Sequence, residues 1–319
     1  MDLHTFLLVL FLFSLLSGNT GVEGGREFKS EDTELEEQLK FLNKPAVETI
    51  KTEYGDTYGC VDFYKQPAFD HPLLKNHSFH SQMKPTSLLK RNREQVSSKA
   101  RESVDIKLKG GGCPLGTVPI RRVTKEDLIR ERNASKLMSF SDNAFGPHVA
   151  ILRTKPGPNK FNGAGAWLSI HNPRVSEVQY SASRVVLQNG NDVIRAGWRD
   201  LVNGNWWLLA GDHNTEVGFW PKRIFSGLAD FASYAEWGGQ VSGGPGPSPE
   251  MGTGLSRSEH SANYDAHAGN IAVMNEKGQT VDVYNTEPYS DKPTVYYVEE
   301  VKQTKLGHLF LYGGPSSVN

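Results

Sequence analysis

An all-β protein, an antiparallel sandwich preceded by a small α/irregular segment, is the fold that the sequence predicts. Three observations carry this. Glycine (32 residues) and proline (17 residues) are frequent in a chain of 319, which favours many turns between short strands. From Val149 onward apolar residues recur with period two, the rhythm of a strand that buries one face. Hydrophobic residues at 37% and aromatics at 10% are enough for a packed core. The formal net charge of −1 gives no reason to expect nucleic acid or an anionic membrane as a main partner.

Taken in order, the chain opens with an apolar run over residues 6–16, followed by the small residues Ser17, Gly18 and Gly21. The run is too short to span a bilayer and has the form of a signal-peptide core, so residues 1–24 read as a removed leader. No later stretch is suited to a membrane, and a secreted, soluble mature protein is expected. In an oxidising compartment Cys60 and Cys113 can pair. Asn76-His-Ser78 and Asn133-Ala-Ser135 are N-glycosylation triplets.

Thr33-Glu-Leu-Glu36 predicts a capped helix whose Leu35, Leu39 and Leu42 share a face, with Pro45 ending it. The stretch after it is proline-punctuated, with no long regular element predicted. Residues 84–132 hold thirteen Lys or Arg against six Asp or Glu, which reads as a solvated, processable linker rather than a nucleic-acid patch, since no aromatics interleave. Within it, Thr124-Lys-Glu-Asp127 predicts a second, short helix. Strands are predicted around Ala166, Leu168 and Ile170, around Trp206, Leu208 and Ala210, and over residues 294–298 and 308–312. Asn275-Glu-Lys-Gly278 joins Ile271 and Val273 to Val281 and Val283 as a hairpin. A helix is predicted after Pro221, with Ile224, Leu228 and Phe231 on one face.

The motifs of serine hydrolases, nucleotide enzymes and zincins are absent from the sequence. No cofactor is called for, and His71, His77 and His80 are better read as surface residues than as metal ligands. The glycine-rich GGQVSGGPGPSPEMGTG reads as a mobile loop. Ala235-Glu-Trp-Gly-Gly239 stands out, because a carboxylate beside a tryptophan can sit in a partly apolar cleft.

The segments QLKFLNKPAVETIK, CVDFYKQPAFDHPLLKNHSF and GCPLGTVPIRRVTKEDL resemble the activation peptide of the neprosin family. GAGAWLSIHNPRV, GNWWLL, EVGFWPKRIFSGLADFASYAEWGGQV and the C-terminal YGGP resemble its catalytic domain. The resemblance implies an activation peptide with its basic linker over residues 25–140 and a catalytic-type domain over 141–319. It also implies a secreted plant zymogen of the apoplast or cell wall, expected to be a monomer, that cuts proline-containing peptides after proline at acidic pH. Two glutamates do the chemistry in that family. Close carboxyls share a proton; one activates water and its protonated partner polarises the carbonyl or donates to the leaving amine.

One family glutamate falls on Glu236, in E-W-G-G. The other lies in a motif of the form I-E-A-G-W, which here reads Ile194-Arg-Ala-Gly-Trp198, so Arg195 stands where the acid belongs. A guanidinium cannot take part in proton sharing. About seventy residues of the family pattern are also missing near 198–205, the length of several strands, so exposed edges and apolar faces are expected there. The resemblance therefore implies a shortened member with impaired activity. The alternative is a non-catalytic secreted sandwich that binds proline-rich peptides or cell-wall polymers, with Trp206, Trp207 and Trp220 as stacking candidates.

Overall fold

The computed structural model describes residues 31–52, 55–85, 113–129, 132, 147–176, 179–195, 197–199, 201, 204–211, 215–242, 247–255, 265–304 and 307–315. The leader over 1–24, most of the basic stretch and Asn133 lie outside them. The chain divides into two compact units, Met1–Met83 with Val104–Arg132, and Lys84–Ser103 with Asn133–Asn319. No helix among the described residues is long and apolar enough to cross a membrane.

The first unit holds helix α1 (Glu31–Leu42) and strands β1 (Ala46–Lys51), β2 (Thr57–Asp62) and β3 (Thr117–Arg121), paired antiparallel in that order. Leu35 and Leu42 bury against Leu128, with Leu39 and Val123 packed alongside. Thr33 lies within α1 rather than at its start, so the predicted cap is misplaced by sequence pattern alone. The second cap forms reciprocally: Thr124 Oγ1 accepts from the Asp127 amide at 3.1 Å, and the Asp127 carboxylate accepts from the Thr124 amide at 2.9 Å.

The small sheet was not predicted. Tyr58, Gly59, Cys60 and Val61 are all buried, so β2 shows no alternation to read. Cys60 and Cys113 are joined by a disulfide that spans 53 positions. Asn76 sits exposed in a turn with φ +59°. His77 stacks on Phe69 and Phe79, while His71 Nδ1 accepts from the Leu73 amide.

The second unit is a two-sheet antiparallel sandwich. Its strands are β4 (Pro147–Thr154), β5 (Gly163–Leu168), β6 (Tyr180–Asn189), β7 (Asp192–Arg195), β8 (Gly197–Arg199), β9 (Trp206–Ala210), β10 (Thr215–Trp220), β11 (Tyr234–Ser242), β12 (Ala266–Met274), β13 (Thr280–Asp282), β14 (Thr286–Ser290), β15 (Tyr297–Thr304) and β16 (Gly307–Gly313). One sheet runs β10-β9-β8-β5-β12-β16-β15, with β13 on β12; the other runs β14-β4-β11-β6-β7. Leu152, Leu187, Ile194 and Trp237 from the five-stranded sheet meet Trp206, Ala268, Phe310 and Tyr312 from the larger one in a single core.

The predicted hairpin is present, with Val273 opposite Val281 and Gly278 at φ +72°. The strand expected from 294 begins at Tyr297. The helix expected after Pro221 reduces to the 3₁₀ turn Lys222–Ile224. Its apolar spacing fits a helix, but the preceding hairpin captures the backbone instead. The Asp192 carboxylate accepts from the Ser226 and Leu228 amides, and Asn189 Nδ2 donates to the Gly227 and Phe231 carbonyls. With those groups satisfied from outside, no helical ladder is needed to satisfy them.

The described part of the glycine-rich loop is anchored rather than free. Met251 is fully buried and bridges to Gly314, and Tyr296 donates to the Pro249 carbonyl at 2.9 Å. Around 198–205, where exposed edges and apolar faces are expected, β8 pairs with β5 and with β9, and Trp206 and Trp207 just beyond are buried.

Candidate active site

The motif expected after a helix is the central strand of the five-stranded sheet. Along β11, Ala235, Trp237 and Val241 belong to the core, so Tyr234, Glu236, Gly238 and Gln240 lie on the opposite face. The double glycine has a packing reason. A Cβ at Gly238 would lie 2.4 Å from the Ala150 carbonyl oxygen, at φ +141°, and one at Gly239 would lie 2.4 Å from Met251 Sδ. Only glycine lets β11 approach both neighbours this closely.

Directly paired residues of an antiparallel sheet share a face, and the register lines up one row across all five strands. It reads Glu287, Arg153, Glu236, Val186, Arg195, from β14 to β7. Glu236 and Arg195 therefore lie two strands apart, a Cα separation of about 10 Å, with only Val186 between them.

Glu236 is 6% exposed and both its oxygens are engaged. Arg184, opposite Gly238, donates to Oε1, and the Tyr234 hydroxyl donates to Oε2 at 2.5 Å. Arg153 pairs instead with Glu287 at 2.8 Å and lies over the Tyr289 ring. Burial and the neighbouring Glu236 carboxylate push the Tyr234 phenol far above its ordinary range. Burial also raises Tyr180, against the opposing pull of Arg184 and Arg195. Arg195 is lowered by burial first and by the adjacent Arg184 guanidinium second.

Chemically, this is a carboxylate locked into an ion pair and a phenol bond, facing a guanidinium across the row. Glu236 can accept a proton. Arg195, charged and without an acidic proton to lend, can only donate hydrogen bonds. The sequence brought Glu236 and Arg195 forward together, and the structure sets them on one row of one face. It did not point to Arg184, Tyr234 or Arg153. Tyr234-x-Glu236 carries the signal of a shared strand face, which goes unread because no strand is predicted over the motif; Arg184 is 52 positions away and carries none.

The stacking platform is a correction: Trp206 and Trp207 are 0% and 2% exposed, and Trp220 packs half-buried against the core. Among the described side chains the exposed indole is Trp167.

Two family models match the chain. One, for the neprosin activation peptide, covers residues 49–154, which takes in both cysteines and runs into β4. The other, for the neprosin domain itself, covers residues 178–315 and includes Arg195 and Glu236. With both parts present and in order, the chain belongs to the neprosin family of peptidases.

Proposed function

We propose that this chain is a secreted neprosin-family protein whose glutamic-peptidase chemistry is impaired by Arg195. The observation that carries the reading is the row itself. Arg195 occupies the position two strands from Glu236, and Glu236 is held by Arg184 and Tyr234 rather than by a second carboxyl. A pair that shares a proton needs two carboxyls, and a guanidinium at one of the two places has no acidic proton to share. The apolar leader supports secretion to the apoplast or cell wall, and the activation-peptide match supports synthesis as a zymogen cut between residues 84 and 140. The ancestral substrates on this reading are proline-containing peptides, cut after proline at acidic pH by a monomer.

Purified protein, incubated in acid and given a proline-containing peptide between pH 2 and pH 6, is expected to leave it intact. Robust cleavage that vanishes on Glu236→Gln overturns the reading. Acid proteolysis gained by Arg195→Glu, against none in the parent, supports Arg195 as the block. The second reading, a non-catalytic peptide-binding sandwich, now rests on the arginines of this face instead of on tryptophan stacking.

A further inference from the structure

In the first unit, the short 3₁₀ turn Pro72–Leu74 is followed by Asn76, whose φ of +59° is a left-handed conformation that asparagine tolerates better than most residues with a Cβ. Beyond it burial alternates. Asn76, Ser78 and His80 are exposed, whereas His77 is half-buried and Phe79 is buried. Asn76 and Ser78 therefore stand on one outward side, with the residue between them turned inward, the alternation of an extended chain. The inward side is well fixed. The His77 ring stacks on Phe69 with centroids 3.7 Å apart, and its Nδ1 accepts from the Phe79 amide at 3.1 Å.

The outward groups are unspent. Among the described residues neither the Asn76 side-chain amide nor the Ser78 hydroxyl makes a hydrogen bond. The triplet Asn76-His-Ser78 thus offers an exposed amide and an exposed hydroxyl two residues apart, held by an anchored ring between them. The sequence adds a second constraint. It holds one other triplet of this form, Asn133-Ala-Ser135, and none after it, so residues 141–319 contain no acceptor for an N-linked sugar.

We propose that Asn76 carries an N-linked oligosaccharide, which places the sugar on the first unit and leaves the sandwich bare of it. The assignment rests on the reading of the chain as secreted, because such sugars are added to chains that enter the secretory route. The donor is an oligosaccharide carried on a lipid pyrophosphate. The Asn76 amide nitrogen attacks C1 of its first sugar, the N–C1 bond forms as the C1–O bond to pyrophosphate breaks, the amide loses a proton to the transferase, and the lipid pyrophosphate leaves as an anion. An attached sugar is bulky and solubilising, and needs the open surface that Asn76 and Ser78 share. Once the leading segment is cut away, that bulk goes with it, so the sugar serves the uncut protein alone.

The test expresses the full-length chain, with its own leader, in plant cells. Protein from the medium is digested, treated with a peptide N-glycosidase in heavy-oxygen water, and read by mass spectrometry. Position 76 is expected as heavy-oxygen-labelled aspartate in most copies, and the untreated peptide is expected to carry hexose and N-acetylhexosamine. On gels the intact protein is expected to lose one step of apparent mass in Asn76→Gln and the same step in Ser78→Ala, which removes the hydroxyl but keeps the left-handed asparagine. Ser78→Thr is expected to retain it. Secreted protein that has lost its leader and has an unmodified Asn76 overturns the proposal, and so does sugar on Asn133 alone. The wild-type peptide decides even where a variant fails to fold. A chain found inside the cell with its leader attached overturns the secretory reading, and this assignment with it, so the two failures are told apart by the leader.

Discussion

Glu236 and Arg184 are 8% and 13% exposed at their side chains, so their ion pair is largely removed from water. Breaking a buried pair leaves one charge uncompensated, which costs about 3–5 kcal/mol. Glu236→Gln is therefore expected to lower stability to urea by about 3 kcal/mol. The double variant with Arg184→Met should lose less than the two single losses combined, because no orphaned charge remains. Such a pair ties Glu236 to the stability of the sheet whether or not it does chemistry. A second residue-scale expectation concerns alkali. Tyr296 and Tyr312 are each pushed up to about 12, by burial first. In the unfolded chain they ionise near pH 10, so unfolding releases protons above that point. Their contribution is fully present below pH 10 and is lost as pH rises toward 12. Urea midpoints measured from pH 8 to pH 12 should fall in that window, and Tyr312→Phe should flatten the fall.

At the scale of elements, legibility followed the environment of each strand. The 275–278 hairpin and the Thr124 cap were readable because their signals are local: a glycine turn in one case, a reciprocal side-chain bond in the other. β2 and β11 were not, because both run buried along most of their length and show no alternation. The segment after Pro221 misled for the opposite reason, since its spacing is helical while Asp192 and Asn189, some thirty to forty positions earlier, hold its backbone. The candidate site was half legible for the same cause. Motif spacing brought Glu236 and Arg195 forward, and only strand pairing and side-chain bonds revealed Arg184 and Tyr234. The glycine pair of β11 gives an element-scale prediction. Gly239→Ala presses a methyl against Met251, a flexible side chain, at a cost of about 1–3 kcal/mol. Gly238→Ala presses it against backbone and carries the strain of φ +141° as well. Urea midpoints should rank Gly238→Ala below Gly239→Ala, and the reverse order would mean that β11 shifts to make room.

For the molecule as a whole, the chain has only two cysteines, both in the first unit and both in one disulfide. A crosslink spanning 53 positions restricts the unfolded chain by about 4 kcal/mol on the chain-entropy account. Calorimetry with and without reductant should therefore move the transition of the first unit and leave that of the sandwich in place; a common shift of both would show that they unfold as one. The sandwich owes its cohesion to a core that Trp206, Trp237, Phe310 and Tyr312 fill from both sheets. Arg195 contributes nothing to that core, for it is the last residue of a four-residue strand at the margin of its sheet. Acid or base at this position is thus a choice that the architecture does not police. The side chain at that rim can change without disturbing the packing between the two sheets, so the interior and the rim are free to vary separately.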